Sequence, residues 1–87
     1  MVRSVVDAEV DDEAPTAATI TEYDERHFII YLRLLDAATQ NVPWRKVARD
    51  VLRRDPSRQT GRVKRCWESH LARARWMSEQ GYRQLLK

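Results

Sequence analysis

Ser57-Arg-Gln-Thr-Gly-Arg-Val-Lys-Arg-Cys-Trp-Glu-Ser-His-Leu-Ala-Arg-Ala-Arg-Trp-Met-Ser-Glu-Gln80 has the period of an amphipathic helix. At the helical step of about 100° per residue, Val63, Trp67, His70, Leu71, Ala74 and Met77 gather on one side, with Trp67 near its middle. Arg58, Arg62, Arg65, Ser69, Arg73 and Trp76 gather on the other. The pattern predicts a helix docked on a core by its apolar side and presenting a row of guanidinium groups, ended by an indole, to an outside partner.

The rest of the chain bounds what that helix belongs to. Its 87 residues, 43% of them hydrophobic, suffice for one small domain with a modest core. Two glycines, three prolines and few β-branched runs favour helices over sheet. The single cysteine, Cys66, excludes an internal disulfide and suits a reducing compartment. No apolar run approaches ~20 residues, so no transmembrane helix is expected, and the start is unlike a signal peptide. A cytoplasmic protein is the expectation. The net charge of +3 conceals a division: residues 1–25 carry −7, and residues 26–87 carry +10. The body of the domain is strongly basic.

Residues 1–19 read as a disordered acidic tail, lacking aromatics and amphipathic period. The sharper alternative is an acidic arm that folds back over the basic face and weakens anion binding. The domain proper is expected over residues 20–87. A first helix is predicted from about Glu22 to Thr39, with Thr21 as N-cap and Glu22, Asp24 and Glu25 on the positive end of the macrodipole. Phe28, Tyr31, Leu32, Leu35 and Ala38 make an ordinary apolar stripe; Tyr23, Ile30 and Leu34 widen it to about 200° of arc, where one core needs roughly 100°. Either later helices straddle this helix and bury the excess, or Tyr23, Ile30 and Leu34 form a docking surface for another protein.

Pro43 suits a first helical position, opening a second helix to about Arg53 with Trp44, Val47, Ala48, Val51 and Leu52 inward. The turn after it is about three residues if Asp55-Pro56 starts the next helix, and about seven if Thr60-Gly61 does. Gly81 sits where a left-handed C-cap is expected, with Tyr82, Leu85 and Leu86 folding back on the core.

Catalytic chemistry is poorly supplied. Ser69 and His70 are neighbours that diverge by about 100° on a helix and cannot pair as nucleophile and base. His70 reads as a boundary residue with one hydrogen bond. One cysteine and two histidines at unrelated spacings make no metal site, and no Gly-rich phosphate loop is present. No enzyme, cofactor, metal or small-molecule ligand is expected. Two short helices, a turn and a longer basic helix instead match an all-α, three- to four-helix helix-turn-helix domain. Arg58, Arg62, Arg65, Arg73 and Trp76 are its candidate nucleic-acid contacts.

Pro43–Leu52, Val63–Met77 and Gly81–Leu86 together resemble a helix-turn-helix family with an extended turn, found in regulators of integrative and conjugative elements. The resemblance implies the longer turn, so that the basic helix begins near Thr60. It also implies one of two roles. Activators of this family bind DNA through the basic side and pack the opposite side on their own N-terminal domain. Stand-alone antiactivators lack that domain and capture the activator's. With about twenty residues before the shared region, this chain is expected to be an antiactivator whose partner is the N-terminal domain of a transcriptional activator. DNA binding in its own right is the alternative.

Overall fold

Four short local closures set the helix ends, and the helix ends set the path of the chain. The computed structural model describes residues 9–85, and helices α1 (Glu22–Arg26), α2 (Phe28–Thr39), α3 (Trp44–Asp50) and α4 (Thr60–Trp76) follow one another along it. A π-helical turn (Met77–Gly81) and a last turn α5 (Tyr82–Leu85) complete it, with no strand among the described residues. Thr21 caps α1 as expected: its hydroxyl accepts the Asp24 N–H, and the Asp24 carboxylate accepts the Thr21 N–H, a reciprocal capping box. The predicted continuous first helix is broken at His27. This residue lies off helical geometry, with Nδ1 2.6 Å from the Tyr23 carbonyl and Nε2 2.8 Å from the Glu9 carbonyl.

Two left-handed residues end the next helices. Asn41 (φ 57°) turns the chain after α2, so that Val42 N–H reaches the Ala37 carbonyl. Arg53 (φ 59°) does the same after α3, letting Arg54 N–H reach the Ala48 carbonyl. Hence α3 stops at Asp50 rather than near Arg53, and Pro43 sits one place outside it as the N-cap. The longer turn is the one present. Asp55 Oδ1 accepts from the Ser57 amide and hydroxyl, Pro56 is buried, and left-handed Gln59 (φ 49°) delivers the chain into α4 at Thr60. Gly81 is not a left-handed cap, because no glycine here has positive φ. Its role is space: a Cβ would meet Met77 Sδ at 2.9 Å and the Trp76 ring at 3.0 Å. The fold-back expected of Tyr82, Leu85 and Leu86 falls on side chains outside the described part of the structure.

Ile30, Tyr31 and Leu34 of α2 pack with Val47 and Leu52 and with Cys66, Leu71, Ala74 and Met77 from α4 and the π turn. Trp67, expected at the centre of the buried side of α4, is half-buried against Trp44 of α3, ring centroids 6.2 Å apart. Cys66 and His70 occupy the centre instead. The buried stripe of α4 is therefore rotated by about one residue toward the N-terminal segment.

That segment differs most from expectation. Residues 1–8 of the expected disordered tail lie outside the described residues. Residues 9–20 have no helix or strand but are not loose. Val10 and Ala14 are buried, Ala14 N–H donates to Ser69 Oγ, and the Cys66 thiol donates to the Asp11 carbonyl. The folded-back arm is what this part of the chain forms. The tail reading missed it because small Val10 and Ala14 offer little apolar area, and backbone hydrogen bonds to side chains on α4 make up the difference.

Candidate nucleic-acid interface

Arg62, Lys64 and Arg65 are exposed on the first two turns of α4, beside α3; Arg58 is exposed in the turn before α4, and Arg45 and Arg49 are exposed on α3. Trp44, at the start of α3, carries the Arg45 guanidinium 4.9 Å and the Lys64 ammonium 6.0 Å from its ring centroid. This end of the domain is thus a cationic surface on an aromatic support. Arg62 is partly engaged already. Its Nη2 lies 2.6 Å from Asp12 Oδ2, and Arg54 Nη1 lies 2.7 Å from Asp12 Oδ1. Hydrogen bonds from Arg62 first, then Arg54, hold the Asp12 carboxyl below the usual range.

Arg73 does not belong to this surface, although the helical wheel places it in the same row. It is 5% exposed and grips fully buried Asp24: Nε donates to Oδ1 at 3.0 Å and Nη2 to Oδ2 at 2.7 Å. Asp24 Oδ1 also accepts from the Tyr31 hydroxyl at 2.7 Å and Oδ2 from the Thr21 amide at 2.9 Å. The remaining donors of Arg73 reach the carbonyls of Ala17 (2.6 Å) and Thr19 (2.9 Å), tying the arm to α1 and α4. Half-buried Trp76 stacks on the Arg73 guanidinium, 3.9 Å from ring centroid to its carbon. Trp76 is therefore a lid on an internal ion pair rather than the end of a DNA-facing row. Burial pulls the Asp24 carboxyl up, but the Arg73, Thr21 and Tyr31 donors prevail and hold it at about 2.

A second buried polar chain runs beside it. Asp11 N–H donates to the Tyr23 hydroxyl, which lies 2.6 Å from His70 Nε2; His70 Nδ1 lies 2.7 Å from the Cys66 carbonyl. His70 is thus fully buried and bonded through both ring nitrogens, not a boundary residue. Desolvation lowers its pKa, against the hydrogen bond to the Cys66 carbonyl. That agrees with a neutral ring, Nδ1–H donating and Nε2 accepting the Tyr23 proton. Burial likewise raises the Tyr23 hydroxyl to about 12.

The apolar candidates are redistributed. Ile30 and Leu34 are 2% and 1% exposed, so neither is available as a docking surface on the folded chain. Tyr23 is half-buried, stacked on His27 at 3.9 Å between centroids. The excess arc of α1 and α2 is covered by α4, by the arm and by the residues after α3. Exposure instead falls on Leu32, 62% exposed at the rim of a groove of about 490 Å³ lined by Phe28, Tyr31, Leu35, Ala74 and Met77. Leu32 reads as ordinary core stripe in the sequence because a wheel cannot show which edge of a wide stripe lacks a neighbour. Lys64, Arg54 and Asp12 join this surface without being marked by the helical wheel. The −7 charge of the first 25 residues was the available signal for Asp12.

No curated protein matches the chain. A family match covers residues 2–87, nearly the whole chain, and its description is RovC_DNA-bd, T6SS transcription factor, DNA-binding domain. An exposed cationic end is compatible with contact to the DNA backbone. The chain belongs to this family of transcription-factor DNA-binding domains.

Proposed function

We propose that the chain acts as a transcriptional regulator that contacts DNA with the exposed first half of α4, and not as an antiactivator in the first instance. The observation that carries this reading is the cluster of exposed Arg62, Lys64 and Arg65 on the first half of α4, with Arg58 exposed in the extended turn that precedes it. Phosphate attraction would supply affinity, and the exposed side chains of α4 would meet base edges. A cytoplasmic setting fits this role, and no described helix is long and apolar enough to cross a membrane. The test is fluorescence anisotropy with labelled duplex DNA. Lys64→Glu with Arg65→Glu should weaken binding about a hundredfold at low salt, roughly 1.4 kcal/mol per reversal, and flatten the salt dependence by about two phosphate contacts. Unchanged affinity would remove α4 from the interface.

A second reading has one observation in its favour. The groove beside Leu32 is apolar and open, so capture of an activator's N-terminal domain, as antiactivators resembling this chain do, would use that groove rather than Ile30 and Leu34. Leu32→Asp should then abolish capture of the activator domain in a titration calorimeter while leaving DNA binding intact. A captured domain indifferent to Leu32→Asp would sink this reading.

A further inference from the structure

Two cations from different parts of the helix-turn-helix converge on one carboxylate. Arg54 follows α3, and Arg62 lies in the first turn of α4; Asp12 Oδ1 accepts a hydrogen bond from Arg54 Nη1 at 2.7 Å, and Asp12 Oδ2 accepts one from Arg62 Nε at 2.7 Å. Each guanidinium is braced from behind. Arg54 Nη2 donates to the Val10 carbonyl at 2.6 Å, and Arg62 Nη1 donates to Gln59 Oε1 at 2.8 Å. The site is at the surface, with the Asp12 side chain 42% exposed and that of Arg62 50% exposed. A phosphodiester presents the same feature as this carboxylate: two terminal oxygens sharing one negative charge, suited to two guanidinium forks. The positive end of the α4 macrodipole adds to the same field.

We infer that Arg54 and Arg62 form a binding site for one phosphate of the DNA backbone, and that Asp12 is its intramolecular occupant, which DNA must displace. This rests on the DNA-binding reading given above. A carboxylate on an arm without helix or strand can leave without unwinding any helix. Its cost to binding is competition at one site, not loss of the fold. The arm thereby sets the threshold at which the domain accepts a duplex.

The experiment uses the full chain, labelled duplex DNA of mixed sequence, and a salt series. Asp12→Asn, nearly isosteric, should strengthen binding about tenfold at low salt and steepen the slope of log affinity against log salt by about one. Asp11→Asn removes the same formal charge one residue away, where the carboxyl is not bonded to either arginine, and should change affinity much less. Arg54→Ala should cost little in the wild-type chain, where the site is filled, and should remove most of the gain in Asp12→Asn. Circular dichroism confirms that each variant is folded; if Asp12→Asn is not, Asp12→Ser takes its place. Equal gains from Asp11→Asn and Asp12→Asn would reduce the effect to general charge and overturn the site. A wild-type chain that binds DNA while Asp12→Asn binds no better overturns the site but leaves the DNA-binding reading standing. If neither chain binds DNA, both fall.

Discussion

Arg73→Ala should cost the folded chain about 3–5 kcal/mol, because it leaves the Asp24 carboxylate buried without its counter-charge. Asp24 is 0% exposed, so water cannot replace the lost donors without opening the structure. The same substitution releases the carbonyls of Ala17 and Thr19 and uncovers Trp76, so the arm loses its C-terminal anchor as well. Domains of this size have about 5–15 kcal/mol to lose, and a midpoint of urea unfolding reduced by half or more is the expected result. Arg73→Lys should recover less than half of the loss, since an ammonium cannot serve both carboxylate oxygens and two carbonyls from fixed directions. The pair also sets the acid limit of the fold. Asp24 is held at about 2, below its ordinary 3.8, so its contribution is complete above about 4 and is lost as pH falls toward 2. Thermal melts should show stability falling through that window in the wild type. A wild-type midpoint that Arg73→Ala leaves unmoved would mean the pair is not closed in solution.

Leu34→Ala should cost about 2–5 kcal/mol, the range for emptying a leucine site in a packed interior. Leu34 is 1% exposed and belongs to the cluster where α2 meets α4. Leu32→Ala, two residues along the same helix but 62% exposed, should change the melting temperature by little. The comparison distinguishes a core residue from a surface one on a helix whose whole apolar arc looks uniform in the sequence. Equal costs at the two positions would require Leu32 to be covered in solution, for example by a second chain.

What was legible follows from the range of the interactions. The N-cap at Thr21 and the basic period of α4 are written within a few residues of themselves, and each is present; the turn before Thr60 is not, since its local residues allow two lengths and the resemblance selected the longer one that is found. Arg73 was not legible, because its partner Asp24 is 49 residues away and a wheel assigns it by the company of its own helix. His27 breaks its helix by reaching back to Glu9, again outside the local window. Arg53 and Gln59 adopt left-handed backbone without being glycine, so the stop after α3 carried no glycine mark. The candidate interface divides in the same way. Arg62 and Arg65 are exposed as their period implies and Arg58 is exposed in the turn before α4, whereas Arg73 is drawn inward by Asp24 and the arm, with Trp76 stacked on it.

The arm also fixes an order of events during synthesis. Ala14 bonds to Ser69, Ala17 to Arg73 and Ala18 to Gln84, across separations of 55, 56 and 66 residues. At ribosomal rates of about 5–20 residues per second, the arm waits several seconds after its own synthesis for the partners that receive it. Helices α1 to α3 nucleate in far less than that time, but at five to twelve residues they persist only once packed. The longest loop of the molecule is therefore closed last, and its closure entropy is met only when α4 is complete. Until then Val10 and the buried carboxylate of Asp24 stand in water, and the nascent chain has no finished core to withhold from a protease or a chaperone.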